Sequence, residues 1–184
     1  MFNDKDGKEL LKLARAVIEA ELKKEVYIVS DSVKSKYKQA QGLFVTMRKN
    51  GMDRGTFGYP ETLFPLWKSV VQVAKAAAFN DNRFPPIGLV ELKDVKIEIT
   101  ILSTLELVSE PISKYSEQID LENHGLMLIS AQSKSLLLPS LLRKYAHTHE
   151  EALDLLCQGA GLPKHAWSDS ANKIYKFEVV TFIE

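Results

Sequence analysis

The run Asn50-Gly51-Met52-Asp53-Arg54-Gly55-Thr56-Phe57-Gly58 concentrates residues suited to binding chemistry. Arg54 supplies a planar, permanently charged fork that matches a carboxylate or a phosphate. Gly55 and Gly58, three apart, let the backbone approach another group closely or turn sharply. Two readings follow. In one, Arg54 and adjacent backbone N–H groups form a site for an anion or a polar substrate. In the other, the glycines make a bulge, and Arg54 pairs with an internal acid such as Asp53 or Asp81.

A second cluster, Phe79-Asn80-Asp81-Asn82-Arg83-Phe84-Pro85-Pro86, also has two readings. Asp81 or Asn82 organises the turn after a helix, with Arg83 at the helix C-terminus where a cation is favoured. Alternatively, the cluster contributes polar groups to a cleft beside Arg54. His147 and His149 stand two apart in a polar loop with no third metal ligand nearby, so they read as solvated, and no metal site is expected. His124 enters a strand at Gly125 and is a general-base candidate only where it faces the cleft. Cys157 lies in an apolar helical stretch, the setting of an inert, packed thiol. A phosphate-cradling loop, a dinucleotide fingerprint, a nucleophile elbow and a His-Glu-x-x-His pair are all missing, and no cofactor is expected.

These residues need elements to position them. From Lys8 to Leu22, apolar residues recur at three- and four-residue steps, which predicts an amphipathic helix capped by Asp4 or Asp6. The lysine-rich stretch from Ser30 to Gln41 predicts an exposed, mobile connector. Gly42 to Met47 reads as a strand, and Asn50-Gly51 as a hairpin turn, because both residues tolerate positive φ. The returning strand carries Arg54 to Gly58. Leu63 to Phe79 forms a helix apolar over a wide face, hence central, with Ala74 on the buried side. Val95 to Leu102 alternates cleanly as a strand. Gly125 to Ile129 and Leu136 to Leu138 are short strands joined by a turn at Ser130–Lys134. Thr148 and Glu151 make a capping box for a helix to about Ala160, which Gly161 and Pro163 end. A last strand runs from Ile174 to Phe182. Hairpins and one-sided strands favour antiparallel pairing, so the fold class is α+β.

The 184 residues carry 24 Lys+Arg against 24 Asp+Glu. With the charge balanced, a broad nucleic-acid footprint is not expected. The lone cysteine excludes an intramolecular disulfide and a cysteine-cluster zinc site. Charged residues interrupt the N-terminus, so it does not read as a signal peptide, and no stretch approaches the ~20 apolar residues of a membrane span. One thiol and no export signal point to a cytoplasmic protein.

The order of Gly-Leu-Phe-Val-Thr (42–46), Lys-Asn-Gly (49–51), Arg-Gly-Thr-Phe-Gly (54–58) and Ala-Ala-Phe-Asn-Asp-Asn-Arg-Phe-Pro-Pro (77–86) resembles one family. So do His-Gly-Leu (124–126), Leu-Leu-Leu-Pro (136–139), Leu-Cys (156–157), Ala-Gly-Leu-Pro (160–163) and Trp167. It is the family of AMMECR proteins, whose prokaryotic members are called AmmeMemoRadiSam system protein A. The resemblance runs from about Leu10 to Phe182. It implies a single domain over 1–184 with a larger and a smaller lobe, built around an antiparallel sheet with flanking helices. It also implies a cleft at the family signature Leu-Arg-Gly-Cys-Ile-Gly, which falls here on residues 53–58. Arg54, Gly55 and Gly58 keep that pattern, whereas Thr56 takes the cysteine position and removes the thiolate nucleophile or soft metal ligand.

The family's prokaryotic members are associated with a radical S-adenosylmethionine enzyme and a Memo-type protein, which are the partners the resemblance implies. The expected site therefore comprises Arg54, Gly55, Thr56, Gly58, Asp81, Arg83 and His124. The leading expectation is a domain that binds a small polar or anionic ligand, or a partner's segment, in the Arg54–Gly58 cleft. The alternative is an enzyme that uses Arg54 for anion stabilisation, with Thr56, Asp81 or His124 in proton transfer.

Overall fold

The computed structural model describes residues 2–61, 64–109 and 114–184. In chain order its first elements are α1 (Asp4–Lys23), α2 (Asp31–Lys36), β1 (Leu43–Lys49), β2 (Met52–Tyr59), α3 (Leu66–Phe79), α4 (Leu89–Leu92) and β3 (Val95–Leu102). They are followed by β4 (Glu106–Leu107), α5 (Tyr115–Gln118), β5 (Gly125–Ile129), β6 (Lys134–Leu137), α6 (Pro139–Tyr145), α7 (His149–Gly159), β7 (Lys173–Phe177) and β8 (Val179–Ile183). The class is α+β, with two four-stranded antiparallel sheets. Two compact units result, the larger formed by Met1–Leu102 with Val180–Glu184 and the smaller by Ser103–Val179.

In the larger unit the strand order is β2-β1-β3-β8. Leu43, Val45 and Met47 on β1 and Ile97, Ile99 and Ile101 on β3 form the inner face, all fully buried. That period-two pattern requires an apolar cover, which α1 and α3 provide. On α3, Leu66, Val70, Val73, Ala74, Ala77 and Ala78 are buried, so the helix is as central as its apolar face demands. The helix was expected from Leu63, but that residue lies outside the described residues.

The cap of α1 is Asn3, not Asp4 or Asp6. Asn3 accepts from the N–H groups of Lys5 and Asp6, and Asp6 accepts from the N–H of Asn3, which closes a capping box. The stretch expected as a connector is largely exposed apart from Tyr37, but it carries a short helix and is tied to α1. Ser30 caps the short α2, and Tyr37 beyond it is 1% exposed. The Tyr37 hydroxyl donates to Asp6 and Glu9, and Lys36 pairs with both carboxylates at 2.7 and 2.8 Å. The lysines that made this stretch look solvated include the one that ties it to α1.

The smaller unit has strand order β4-β7-β5-β6, and Ala152, Leu153, Leu156 and Cys157 of α7 join its core. Thr148 caps α7 through the Glu151 N–H, but the Glu151 carboxylate returns to the N–H of His147, so only half of the expected box forms. The single strand expected over Ile174–Phe182 is two. The break at Glu178 assigns β7 to the second sheet and β8 to the first.

Ala74→Glu places an unpaired carboxylate on the buried face of α3, at a cost of about 3 kcal/mol or more. The variant should unfold at distinctly lower denaturant than the parent; an unchanged midpoint would contradict the packing of α3.

Candidate functional site

The hairpin of β1 and β2 turns through Asn50 and Gly51, whose φ values are 52° and 78°. Its register runs Met47 opposite Gly55, then Arg48 opposite Asp53, so Arg54 is the unmatched residue of a β-bulge. A bulge bends its strand and re-aims the side chain it carries. Here it directs Arg54 to Glu91 on α4. Arg54 Nε donates to Glu91 Oε1 at 2.9 Å and Nη2 to Oε2 at 2.9 Å, a bidentate pair. Nη2 also donates to the Pro85 carbonyl at 3.0 Å. Lys49 adds a third donor to Glu91 at 3.1 Å. Arg54, with Lys49 behind it, holds the Glu91 carboxyl below the usual range.

The Arg54 side chain is 12% exposed and its ion pair is internal. The acid is Glu91, however, rather than Asp53 or Asp81. Asp53 pairs instead with Arg48 at 2.5 Å, and Arg48 also reaches Glu98 at 2.9 Å. Both signature glycines are explained by close approach within the chain. A β-carbon on Gly55 would strike the Ala77 carbonyl oxygen of α3, and one on Gly58 would enter the Phe44 ring.

Asp81 joins the end of α3 to the edge of the sheet. Its carboxylate accepts the backbone N–H of Thr56 at 2.7 Å, the N–H of Arg83 at 3.1 Å, and Arg83 Nε and Nη2 at 3.0 and 2.7 Å. The Arg83 guanidinium, aided by the two backbone N–H groups, holds the carboxyl far below its ordinary value, although burial opposes this. The Asp81 side chain is 6% exposed, and that of Arg83 is 55% exposed. The guanidinium carbons of Arg54 and Arg83 lie 5.7 and 5.4 Å from the centre of the Phe84 ring. Thr56 turns its hydroxyl to Thr46, with 3.3 Å between the oxygens.

The structure thus gathers Arg54, Gly55, Thr56, Asp81 and Arg83 around the β2 edge and the turn after α3, with Gly58 two residues along the strand. His124 belongs to the smaller unit, where its Nδ1 accepts the Asp120 N–H at 2.9 Å. His149 engages the Ile119 carbonyl at 2.9 Å. Cys157 is fully buried, and burial raises its thiol pKa. Glu91 and Lys49 were missed as partners of the site, and no sequence signal joins Glu91 to an arginine 37 positions earlier. Among the described residues, no cluster of three or more His, Cys, Asp and Glu could hold a metal, and no helix is long and apolar enough to cross a membrane.

A family model described as AMMECR1 matches residues 11–182. A protein of Methanothermobacter thermautotrophicus is 34% identical over 181 residues, covering 97% of this chain and 94% of its own. One from Aquifex aeolicus is 34% identical over 174 residues, covering 94% and 89%. The crystal structure of the uncharacterized protein PH0010 from Pyrococcus horikoshii superposes with a TM-score of 0.89 at 32% identity, covering 100% of this chain and 93% of that one.

Removing Arg54 leaves Glu91 with Lys49 alone, so Arg54→Ala should lower stability by about 1–3 kcal/mol, measured by denaturant unfolding. Asp81 sets an acid limit. Its pKa is depressed in the fold, so its contribution is complete above the unfolded value of about 4 and is lost as pH falls through the folded value. Asp81→Asn should lower the melting temperature at neutral pH and flatten its decline below about pH 4; a parallel decline in both proteins would argue against this role.

Proposed function

The chain belongs to the AMMECR1 family, and we propose that it acts by binding, holding a carboxylate- or phosphate-bearing ligand at Phe84 between the guanidinium groups of Arg54 and Arg83. One observation carries this reading. Each guanidinium spends Nε and Nη2 on a carboxylate of the chain, and among the described residues neither Nη1 has a protein partner. Two donor edges beside one aromatic ring suit a small planar or tetrahedral anion.

The same geometry favours binding over proton transfer. The partner of the Thr56 hydroxyl is another hydroxyl, which cannot serve as a base at neutral pH. Asp81 devotes its oxygens to four N–H groups and stays ionised, which makes it a weak proton acceptor. The His124 Nδ1 lone pair is occupied within its own unit. A thiol mechanism has no thiol at position 56. The radical S-adenosylmethionine enzyme and the Memo-type protein that the resemblance implies are the proposed partners of this binding step, and a soluble cytoplasmic setting accords with them.

Titration calorimetry with inorganic phosphate, glutarate and citrate tests the site. At least one of the three should bind, and Arg83→Ala should weaken it by about 1.5–3 kcal/mol, the scale of a charge-assisted hydrogen bond. Arg83 is largely exposed, so its variant should still unfold cooperatively. Equal affinity in parent and variant, or no binding by any of the three anions, overturns the reading.

A further inference from the structure

Resting on that reading, we infer that the natural ligand is a polypeptide: an extended segment of a partner protein that adds to the free edge of β2 and presents a carboxylate to Arg83. β2 is the outermost strand of its sheet. In an antiparallel ladder, successive residues point their N–H and C=O groups alternately toward the neighbouring strand and away from it. Thr56 donates its N–H to Asp81 and not to β1, so Thr56 is an outward residue. The close approach of its hydroxyl to that of the opposing Thr46 agrees, because side chains come nearest at pairs that exchange no backbone bonds. Gly58, two residues along, shares that direction. Its N–H and C=O therefore face out of the sheet, and among the described residues neither has a backbone partner.

An unpaired donor and acceptor at strand spacing match the main chain of another strand, which supplies both at the same interval. Edge strands are ordinarily protected by lysine, proline, a bulge or a covering element. Here the protection lies at the two ends: Pro60, which has no N–H, follows β2 at one, and the bulge stands at the other. The bulge at Arg54 stops regular pairing there, and Asp81 occupies the Thr56 N–H. Beyond Thr56 the edge carries Gly58, whose missing side chain is a packing requirement of the Phe44 ring. An added segment is thus limited to the stretch from Thr56 to Tyr59, and the Asp81 contact fixes where it must end.

Charge selects the segment further. Arg83 is joined to Thr56 through Asp81, is largely exposed, and keeps Nη1 free among the described residues. A residue of the incoming strand near Thr56 is best complemented there by a carboxylate.

The test uses the full chain with a mixture of capped pentapeptides that have Glu at the centre and Val, Thr or Leu elsewhere. Lys-centred and backbone N-methylated mixtures serve as controls, and exchange of the Gly58 amide is read by nuclear magnetic resonance. The Glu mixture should slow Gly58 exchange at least tenfold and bind at least tenfold more tightly than either control. Arg83→Gln should abolish the preference for Glu over Lys. Glutarate that binds in an Arg83-dependent way, while the peptides leave Gly58 exchange unchanged, overturns the peptide inference and leaves the anion site standing. Equal binding by the N-methylated mixture also overturns it, because strand addition requires main-chain hydrogen bonds. Failure of peptides and anions alike removes both readings.

Discussion

A single carboxylate in a confined place organises this part of the molecule. Asp81 lies just past the end of α3, and a buried carboxylate is tolerated only where donors replace the water it has lost. Four N–H groups do so, three from Arg83 and one from Thr56. The turn after α3 is thereby fixed to the outer edge of β2, and the chain that leaves the turn brings Phe84 within reach of both guanidinium groups. The next anchor follows from the first: the Pro85 carbonyl accepts from Arg54, and α4 presents Glu91 to the same side chain. Arg54 reaches that position only because the bulge frees it from the regular alternation of the strand.

What was legible in the sequence was what local periodicity encodes. Val95–Leu102 alternates in type and forms β3 with those ends. Asn50-Gly51 closes the hairpin because both backbone positions need positive φ. The buried face of α3 followed from a pattern of period 3.6, whereas the strand pairings beyond the hairpin did not. The α+β class was nonetheless accessible, and the resemblance added the two-lobed organisation it implied. Short elements escaped. α4, α5 and β4 are too brief to show a period, and the Pro at the start of α6 reads equally well as a breaker. The alternation through 174–182 is real but serves two sheets, and nothing local marks the change at Glu178.

The site was legible in its residues but not in its pairings. Thr56, Asp81 and Arg83 form one hydrogen-bonded group, and Arg54, paired elsewhere, reaches the same Phe84 ring. Which acid Arg54 takes depends on the fold: Asp53, its immediate neighbour, is drawn to Arg48, whereas Glu91 arrives through α4. Tyr37 shows the same gap between composition and structure. A lysine-rich context looks solvated, yet Lys36, itself exposed, reaches back to Asp6 and Glu9, and the ring beside it is buried.

The departure from the family signature at Thr56 can be understood at the level of the backbone. The bond that position makes to Asp81 uses its main-chain N–H, which every residue except proline possesses. Cysteine and threonine hold the strand edge equally well by that contact. The flanking glycines have no such latitude, because a β-carbon at Gly55 meets a helix carbonyl and one at Gly58 meets an aromatic ring. Arg54 is constrained by a bidentate partner and a carbonyl together, a geometry that lysine cannot reproduce. Scaffold and chemistry thus separate within six residues. Arg54, Gly55 and Gly58 are required by packing and pairing inside the chain, while the side chain at position 56 can change without loss of that frame. A chain with threonine there retains the edge, the carboxylate that guards it and the two guanidinium groups beside Phe84, but not a nucleophile. Those surviving parts suit the proposed role of holding a ligand better than covalent catalysis by a thiol at that position.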